Sequence, residues 1–359
     1  MGLESLTNSV EGKISGYVQP RGKFATVAGF YAMLTSDVLY GLGSKINRTM
    51  PSASSQVDKI VMDRRRANGD DYVENEQMAV VTGANCGIGF ETAKAIGRAG
   101  YHTILACRNE ELGREAVERL ERQTGLEGRF EFQELDLSSL ASVRGFVDGF
   151  KARDKPLSIL VNNAGVMMCP LGKTKDGIEL QFGTNHVGHF ALTTGLLDQL
   201  KQAGNGARVV TVASLGAFML REIDYDALAD DSRYDRTSSY GYSKLANILF
   251  STALARKLQG TGVTSNVVHP GVVATNLTRH VGSSRIAGFK NSVERALFVD
   301  PTIGALSSIY LALSPDAEGV TGQMYARALP MTIHPAAESV EMQDKLWDYT
   351  EDVIAKSSQ

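Results

Sequence analysis

Cysteine is scarce in this chain. Cys86, Cys107 and Cys169 are odd in number and form no C-x-x-C pair, which argues against a disulfide-built scaffold and makes a reducing compartment the expectation. A surplus of one charge is missing too. Lys and Arg total 37 against 40 Asp and Glu, a net −3, so binding to nucleic acid through phosphate neutralisation is not expected. Long apolar runs are absent, which excludes a multi-pass membrane protein. A hydrophobic share of 43% beside 21% charged residues excludes a wholly disordered chain. Glycine is the one excess, 36 of 359 residues, and such an excess often marks turns where the backbone approaches something closely.

Residues 1–75 read as an N-terminal extension, partly helical or flexible. Phe24, Val27, Phe30, Tyr31, Leu34, Val38 and Leu42 share one helix face. Thr26, Thr35, Ser36 and Asp37 interrupt that stretch, and a spanning helix needs about 20 predominantly apolar residues. A helix packed on the protein's own body is the leading reading, with peripheral membrane contact through residues 24–42 kept open. No short apolar core followed by a small-residue cleavage site opens the chain, so a secretory signal is not expected. Asp58 to Asp71, where acids bracket Arg64, Arg65 and Arg66, reads as a solvated linker.

From residue 76 the pattern turns regular. Met78–Thr82, His102–Cys107, Phe130–Leu137, Leu157–Asn162, Arg208–Ala213, Val263–His269 and Gly322–Ala326 read as strands. They alternate with predicted helices over 88–98, 110–124, 139–151, 177–202, 238–259 and 301–313. Strands this apolar, each followed by a helix, imply a parallel sheet covered on both faces. Right-handed crossovers then give an α/β, doubly wound Rossmann-type sheet of about seven strands. One domain over 76–330, followed by a helical tail over 331–359, fits better than two domains. Helices 177–202 and 238–259 offer a face for a homodimer.

The turn after the first strand carries Gly83-x-x-x-Gly87-x-Gly89. Gly83 permits the sharp exit from the strand, Gly87 lets the backbone approach a pyrophosphate, and Gly89 allows close packing of helix on sheet. The helix N-terminus beyond offers free N–H groups and a positive dipole end to the anion. Gly83, Asn85, Gly87, Ile88 and Gly89 are thus candidate dinucleotide-binding residues. An NAD site usually has an acid at the end of the second strand. Here that strand ends in Cys107-Arg108-Asn109, and Arg108 suits the 2′-phosphate of NADP. NADP(H) is therefore expected over NAD(H). Asp136, with Leu137 beside it, is a candidate for the adenine amino group. Asn163, Ala164 and Gly165 suit a wall of the cofactor site.

Tyr240 and Lys244 stand at i and i+4 on one helix face. A phenol with pKa about 10 needs help to move a proton at neutral pH. A nearby ammonium and a positive nicotinamide ring favour the phenolate, making Tyr240 a candidate general acid/base and Lys244 its partner and ribose anchor. Ser214 ends the fifth strand, where ligands gather in open parallel sheets, and can hold a carbonyl oxygen. Asn185 can bind a water linking Lys244 to solvent. His186 and His189, at i and i+3, raise a metal pair, but no third ligand stands near in sequence and no metal is expected. No G-x-S-x-G elbow surrounds Ser214, which speaks against a hydrolase.

Together these residues resemble the short-chain dehydrogenase/reductase family over about Met78 to Ala326. Asn162 to Pro170, Thr184 to Phe190 and Ser243 to Phe250 are similar to its retinol dehydrogenase-like branch. Glu179 to Phe182 and Lys345 to Asp348 are also similar to the plant short-chain dehydrogenase of the chloroplast inner-envelope translocon. The resemblance implies an NADP-linked oxidoreductase that moves a hydride between nicotinamide and a carbonyl or alcohol of a hydrophobic small molecule. It implies the roles assigned to Ser214, Tyr240, Lys244 and Asn185. It also implies that Pro270, Gly271 and the chain to Thr275 close over the nicotinamide. The substrate lid falls over 276–299, where Arg279, His280, Arg285, Lys290, Glu294 and Arg295 make it more polar than in some membrane-bound relatives. The competing reading is a cofactor-occupied scaffold that senses redox state and docks a membrane or protein partner.

Overall fold

Residues buried on both sides build the sheet. In the computed structural model, which describes residues 52–69, 77–204, 206–271 and 300–357, β1 (Met78–Thr82), β2 (His102–Cys107) and β4 (Leu157–Asn162) match the predicted runs. β3 (Phe130–Glu134), β5 (Arg208–Val212), β6 (Thr264–His269) and β7 (Met324–Ala326) are shorter than predicted by one to three residues. The predicted helix over 24–42, Thr275 and the lid over 276–299 lie outside the described residues.

The sheet has eight strands rather than seven, in the order β3-β2-β1-β4-β5-β6-β7-β8. β1 to β7 pair in parallel, and β8 (Leu329–Met331) returns antiparallel along the β7 edge. Pro330 is tolerated there because an edge strand has one side free of ladder bonds. The strand order reverses between β1 and β4, and the crevice beyond their carboxyl ends is where such sheets bind ligands.

Alternate strand residues feed two cores. Met78 and Val80 face one side of β1, Ala79 and Val81 the other. On the first side pack α4 (Leu140–Lys151), α5 (Gly188–Gly195), α7 (Arg236–Lys257) and α9 (Val340–Ser357). On the second pack α1 (Ala53–Asn68), α2 (Gly87–Arg98), α3 (Glu110–Thr124) and α8 (Pro301–Leu313). Among the described residues no helix is long and apolar enough to cross a membrane.

Three features depart from the expectations. Residues 58–68 are helix α1, not a solvated linker. Its thin apolar stripe, Val57, Ile60 and Val61, is buried, while Arg64 and Arg65 donate 2.6 Å hydrogen bonds to the Leu313 and Arg98 carbonyls. Those arginines satisfy carbonyls at the C-terminal ends of α8 and α2, where cations are favoured. The predicted helix over 177–202 is broken. It begins at Leu180, capped by Glu179 through both carboxylate oxygens, passes through a π-turn at Gly183–Val187, continues as α5 and restarts as α6 (Leu197–Gln202). The face expected to pair two copies is also covered in part by this chain's own α9. Trp347 stacks on Phe250 and meets Phe190 edge-on at 4.7 Å.

Candidate active site

The glycine turn lies at the reversal of strand order. Gly83 has φ +64 and Gly87 φ +60, conformations that side chains rarely adopt. A Cβ on Gly89 would stand 2.5 Å from both the Gly83 carbonyl oxygen and Asn163 Nδ2. The chain must therefore be bare there for α2 to start so close to β1. The Cys86 side chain makes no capping bond to α2, and the first N–H groups of a helix suit an anion. Asn85 and Ile88 are partly buried in the same turn. A pyrophosphate fits this cradle.

The far wall is built from the end of β4. Asn163 donates from Nδ2 to the Thr82 carbonyl at 2.8 Å, and Asn163 and Ala164 N–H both donate to Thr82 Oγ1 at 2.9 Å. These bonds fasten the wall to the strand that feeds the turn. Gly165 is small for a local reason: a Cβ there would lie 3.1 Å from Asn185 Oδ1 and 3.5 Å from Lys244 Nζ. Pro270 and Gly271 leave β6 at the same edge.

At the end of β2, Arg108 is exposed. Asn109 is a helix cap whose side chain accepts from Leu112 N–H at 2.8 Å. After β3, the Asp136 carboxylate accepts from Ser138 N–H and Oγ and pairs with Lys175 at 3.1 Å. Burial raises its pKa, but the bonds from Ser138 and Lys175 outweigh it and hold the pKa below the usual value. Leu137 is buried against Gly188, where a Cβ would meet the Leu137 carbonyl oxygen at 2.4 Å.

The remaining groups converge on the ends of β4 and β5. Ser214 follows β5 and accepts Gly216 N–H at 3.2 Å, and its hydroxyl and the Tyr240 ring both lie against Gly216. Tyr240 and Lys244 lie one turn apart on α7, both buried. Lys244 Nζ donates to the Val212 carbonyl at 3.1 Å, which Asn247 Nδ2 also reaches at 3.2 Å. Burial lowers the Lys244 pKa to about 8. Burial also raises the Tyr240 pKa, opposed by the nearby Ser214 hydroxyl. The Lys244 amine, bonded to Val212, lies 5.9 Å from the centre of the Tyr240 ring. The Asn185 amide is committed to the Val166 backbone at 2.7 and 2.9 Å and to Ser243 Oγ at 2.9 Å. These bonds brace the π-turn against the segment that follows β4.

His186 and His189 turn to different partners. His186 Nε2 lies 3.0 Å from Thr350 Oγ1 on α9, within a ring of Phe182, Phe190 and Phe250. His189 faces Thr82 and the Asn185 carbonyl. Among the described residues no group of three ligating side chains could hold a metal. Burial lowers the pKa of His186 to about 3 and of His189 to about 4. The unfolded chain takes up protons below its ordinary value of about 6.5 while the folded one does not, so stability falls as pH falls. For the two rings together, equilibrium unfolding at pH 5 should show a loss of about 4 kcal/mol relative to pH 8, less whatever other groups offset. Substitution of both rings by neutral isosteres should remove that dependence.

The short chain dehydrogenase family model matches residues 77–285. Retinol dehydrogenase 14 of Mus musculus is 40% identical over 301 residues, covering 81% of this chain and 90% of the relative. The chloroplastic short-chain dehydrogenase TIC 32 B of Brassica napus is 42% identical over 280 residues, 76% and 87% of the two chains. Among solved structures, an actinorhodin polyketide ketoreductase with NADPH is 28% identical, with a TM-score of 0.55 over 70% of this chain and 95% of that one. The chain belongs to the short-chain dehydrogenase family, in its retinol dehydrogenase-like branch, and is a nicotinamide-dependent oxidoreductase acting on a small-molecule alcohol or carbonyl.

Proposed function

We propose that this protein interconverts a hydrophobic alcohol and its carbonyl with NADP(H) as the preferred cofactor, using Ser214, Tyr240 and Lys244 as the reacting set. The observation that carries the reading is the convergence of Ser214 and the Tyr240 ring on Gly216 at the end of β5, with Lys244 one helical turn on and bonded to the Val212 carbonyl of the same strand. When bound, the nicotinamide supplies or accepts the hydride. Ser214 holds the substrate oxygen, and Tyr240 gives or takes the proton at that oxygen. Lys244 keeps a positive charge beside the phenol and anchors the ribose, and Asn185 braces the turn behind it. A scaffold with no turnover is not favoured, since the family and the assembled residues both speak for chemistry.

The preference for NADP(H) rests on Arg108. It is an exposed guanidinium at the end of β2 with no carboxylate beside it on that strand end, and Asn109 next to it is spent on capping. Arg108→Ala should raise the KM for NADPH by about 10- to 100-fold, the effect of losing charge-assisted bonds to a phosphate, and leave the KM for NADH nearly unchanged. Paired titrations with the two cofactors check this, and an equal effect on both would remove Arg108 from the site.

A hydrophobic substrate is supported by the relative named retinol dehydrogenase and by Leu171 and Met219, exposed apolar side chains on the segments that follow β4 and β5. The direct experiment is a carbonyl panel of all-trans-retinal, medium-chain aldehydes and cyclic ketones, run with NADPH and NADH side by side. The same proposal keeps membrane contact through residues 24–42, testable by vesicle sedimentation of a chain lacking them. A homodimer on the 177–202 and 238–259 face would have to form around α9, and light scattering of the full chain reports it.

A further inference from the structure

We propose that His189 is a positioning residue that clamps the Asn185 carbonyl to Thr82, tying the turn behind Lys244 to the strand that feeds the dinucleotide turn. Its ring is buried, with Nδ1 2.9 Å from the Asn185 carbonyl oxygen and Nε2 2.8 Å from Thr82 Oγ1. A carbonyl only accepts, so Nδ1 carries the hydrogen. In the neutral ring Nε2 is then bare and accepts from the Thr82 hydroxyl. The Thr82 oxygen can do this because its acceptor sites already hold Asn163 N–H and Ala164 N–H. Burial keeps the ring neutral, and the Lys244 charge nearby works in the same direction.

The two nitrogens serve two sides of the crevice. The Nε2 arm orders Thr82 and, through it, Asn163 and Ala164, the wall packed within contact of Gly83 and Gly89. The Nδ1 arm holds the π-turn at Gly183–Val187, whose Asn185 amide grips Val166 and Ser243 beside Lys244. Removing one arm should therefore weaken cofactor binding, and removing the other should slow turnover.

Two substitutions separate the arms. In His189→Asn the side-chain amide stands near the place of Nδ1 and keeps the bond to Asn185. In His189→Gln it reaches the place of Nε2 and keeps the bond to Thr82. Expected for His189→Asn is a Kd for NADPH weakened by about 5- to 20-fold in fluorescence titration, with kcat kept within about threefold. Expected for His189→Gln is the reverse: kcat with the fastest carbonyl of the panel falls by about 10-fold, and the Kd for NADPH stays within about threefold. Thr82→Val should weaken the Kd for NADPH in the same direction as His189→Asn and by more, because it also removes the acceptor of Asn163 and Ala164 N–H. The proposal is overturned if the Asn and Gln variants shift Kd and kcat together in proportion to their loss of Tm, as for a residue that merely fills the core. It rests on the proposed roles of Lys244 and Asn185. Failure of those roles would show as normal turnover in Lys244→Met, whereas failure of the clamp alone leaves that variant inactive and the Asn and Gln variants alike.

Discussion

Replacing Tyr240 by Phe is expected to lower kcat by about 10²- to 10⁴-fold, the contribution of a well-placed proton donor, with the Kd for NADPH within about threefold of wild type. The expectation is sharp because the substitution changes little else. The ring is buried and lies against Gly216, where an added Cβ would be 3.2 Å from it, and Phe fills the same space. Ser214 loses the phenol but still accepts Gly216 N–H, so the fold should lose about 1 kcal/mol. Steady-state turnover beside NADPH fluorescence titration checks both halves. Unchanged turnover would remove the phenol from the chemistry, and lost cofactor binding would make it a structural group.

Lys244→Met should give an enzyme that is more stable and nearly inactive. The amine is buried with a pKa pushed down to about 8, so near neutral pH the folded protein holds a charge in a site that disfavours it. Met keeps the volume and drops the charge. The Val212 carbonyl is not orphaned, because Asn247 still donates to it. A net gain of about 2 kcal/mol, or roughly 4–8 °C in Tm, is expected for the cofactor-free protein. Turnover should fall by about 10²-fold or more with the loss of the ammonium. The pH dependence gives an independent check. The unfolded chain keeps the Lys244 proton up to about 10.5 while the folded one releases it at about 8, so raising the pH through that window favours the folded wild type. The Met variant should lack this gain, and its stability advantage should shrink as pH rises. A variant less stable than wild type at pH 7 would mean that the lysine is held by contacts stronger than those described.

Strands β1, β2 and β4 were legible to the residue because they are buried on both faces, and continuous apolar runs with glycine or polar ends mark their bounds. The glycine turn was legible because spacing alone states the backbone conformations it needs. Helix α1 was not, since its arginines look solvent-directed in one dimension while Arg64 and Arg65 in fact satisfy carbonyls on α8 and α2. Strand β8 has three residues, two of them exposed, and follows Arg327 and Ala328 at positive φ without a glycine to announce the turn. The π-turn leaves no periodic mark because its polar Asn185 and His186 are buried like the apolar residues around them.

At the candidate site, residue identities were readable and the working partners less so. Spacing brought Tyr240 and Lys244 together, and strand ends brought Ser214. It did not show that Asn109 spends its side chain on a cap or that Asp136 is paired with Lys175. Nor did it show that Asn185 braces the backbone. His189 stood out only as one of two histidines at helical spacing. Its partner Thr82 lies 107 residues away, a separation that no local pattern encodes.

The central claim is that Tyr240 and Ser214 act on the oxygen of a carbonyl while its carbon exchanges a hydride with the cofactor. The most direct measurement is a single-turnover reaction of the full chain with NADPH deuterated at C4 on both faces and the fastest carbonyl of the panel, with the product read by mass spectrometry. Wild type should place one deuterium on the new carbinol carbon, and Tyr240→Phe should yield almost no labelled product in the same time. Alcohol formed without deuterium, or an equal labelled yield from the Phe variant, would contradict the account.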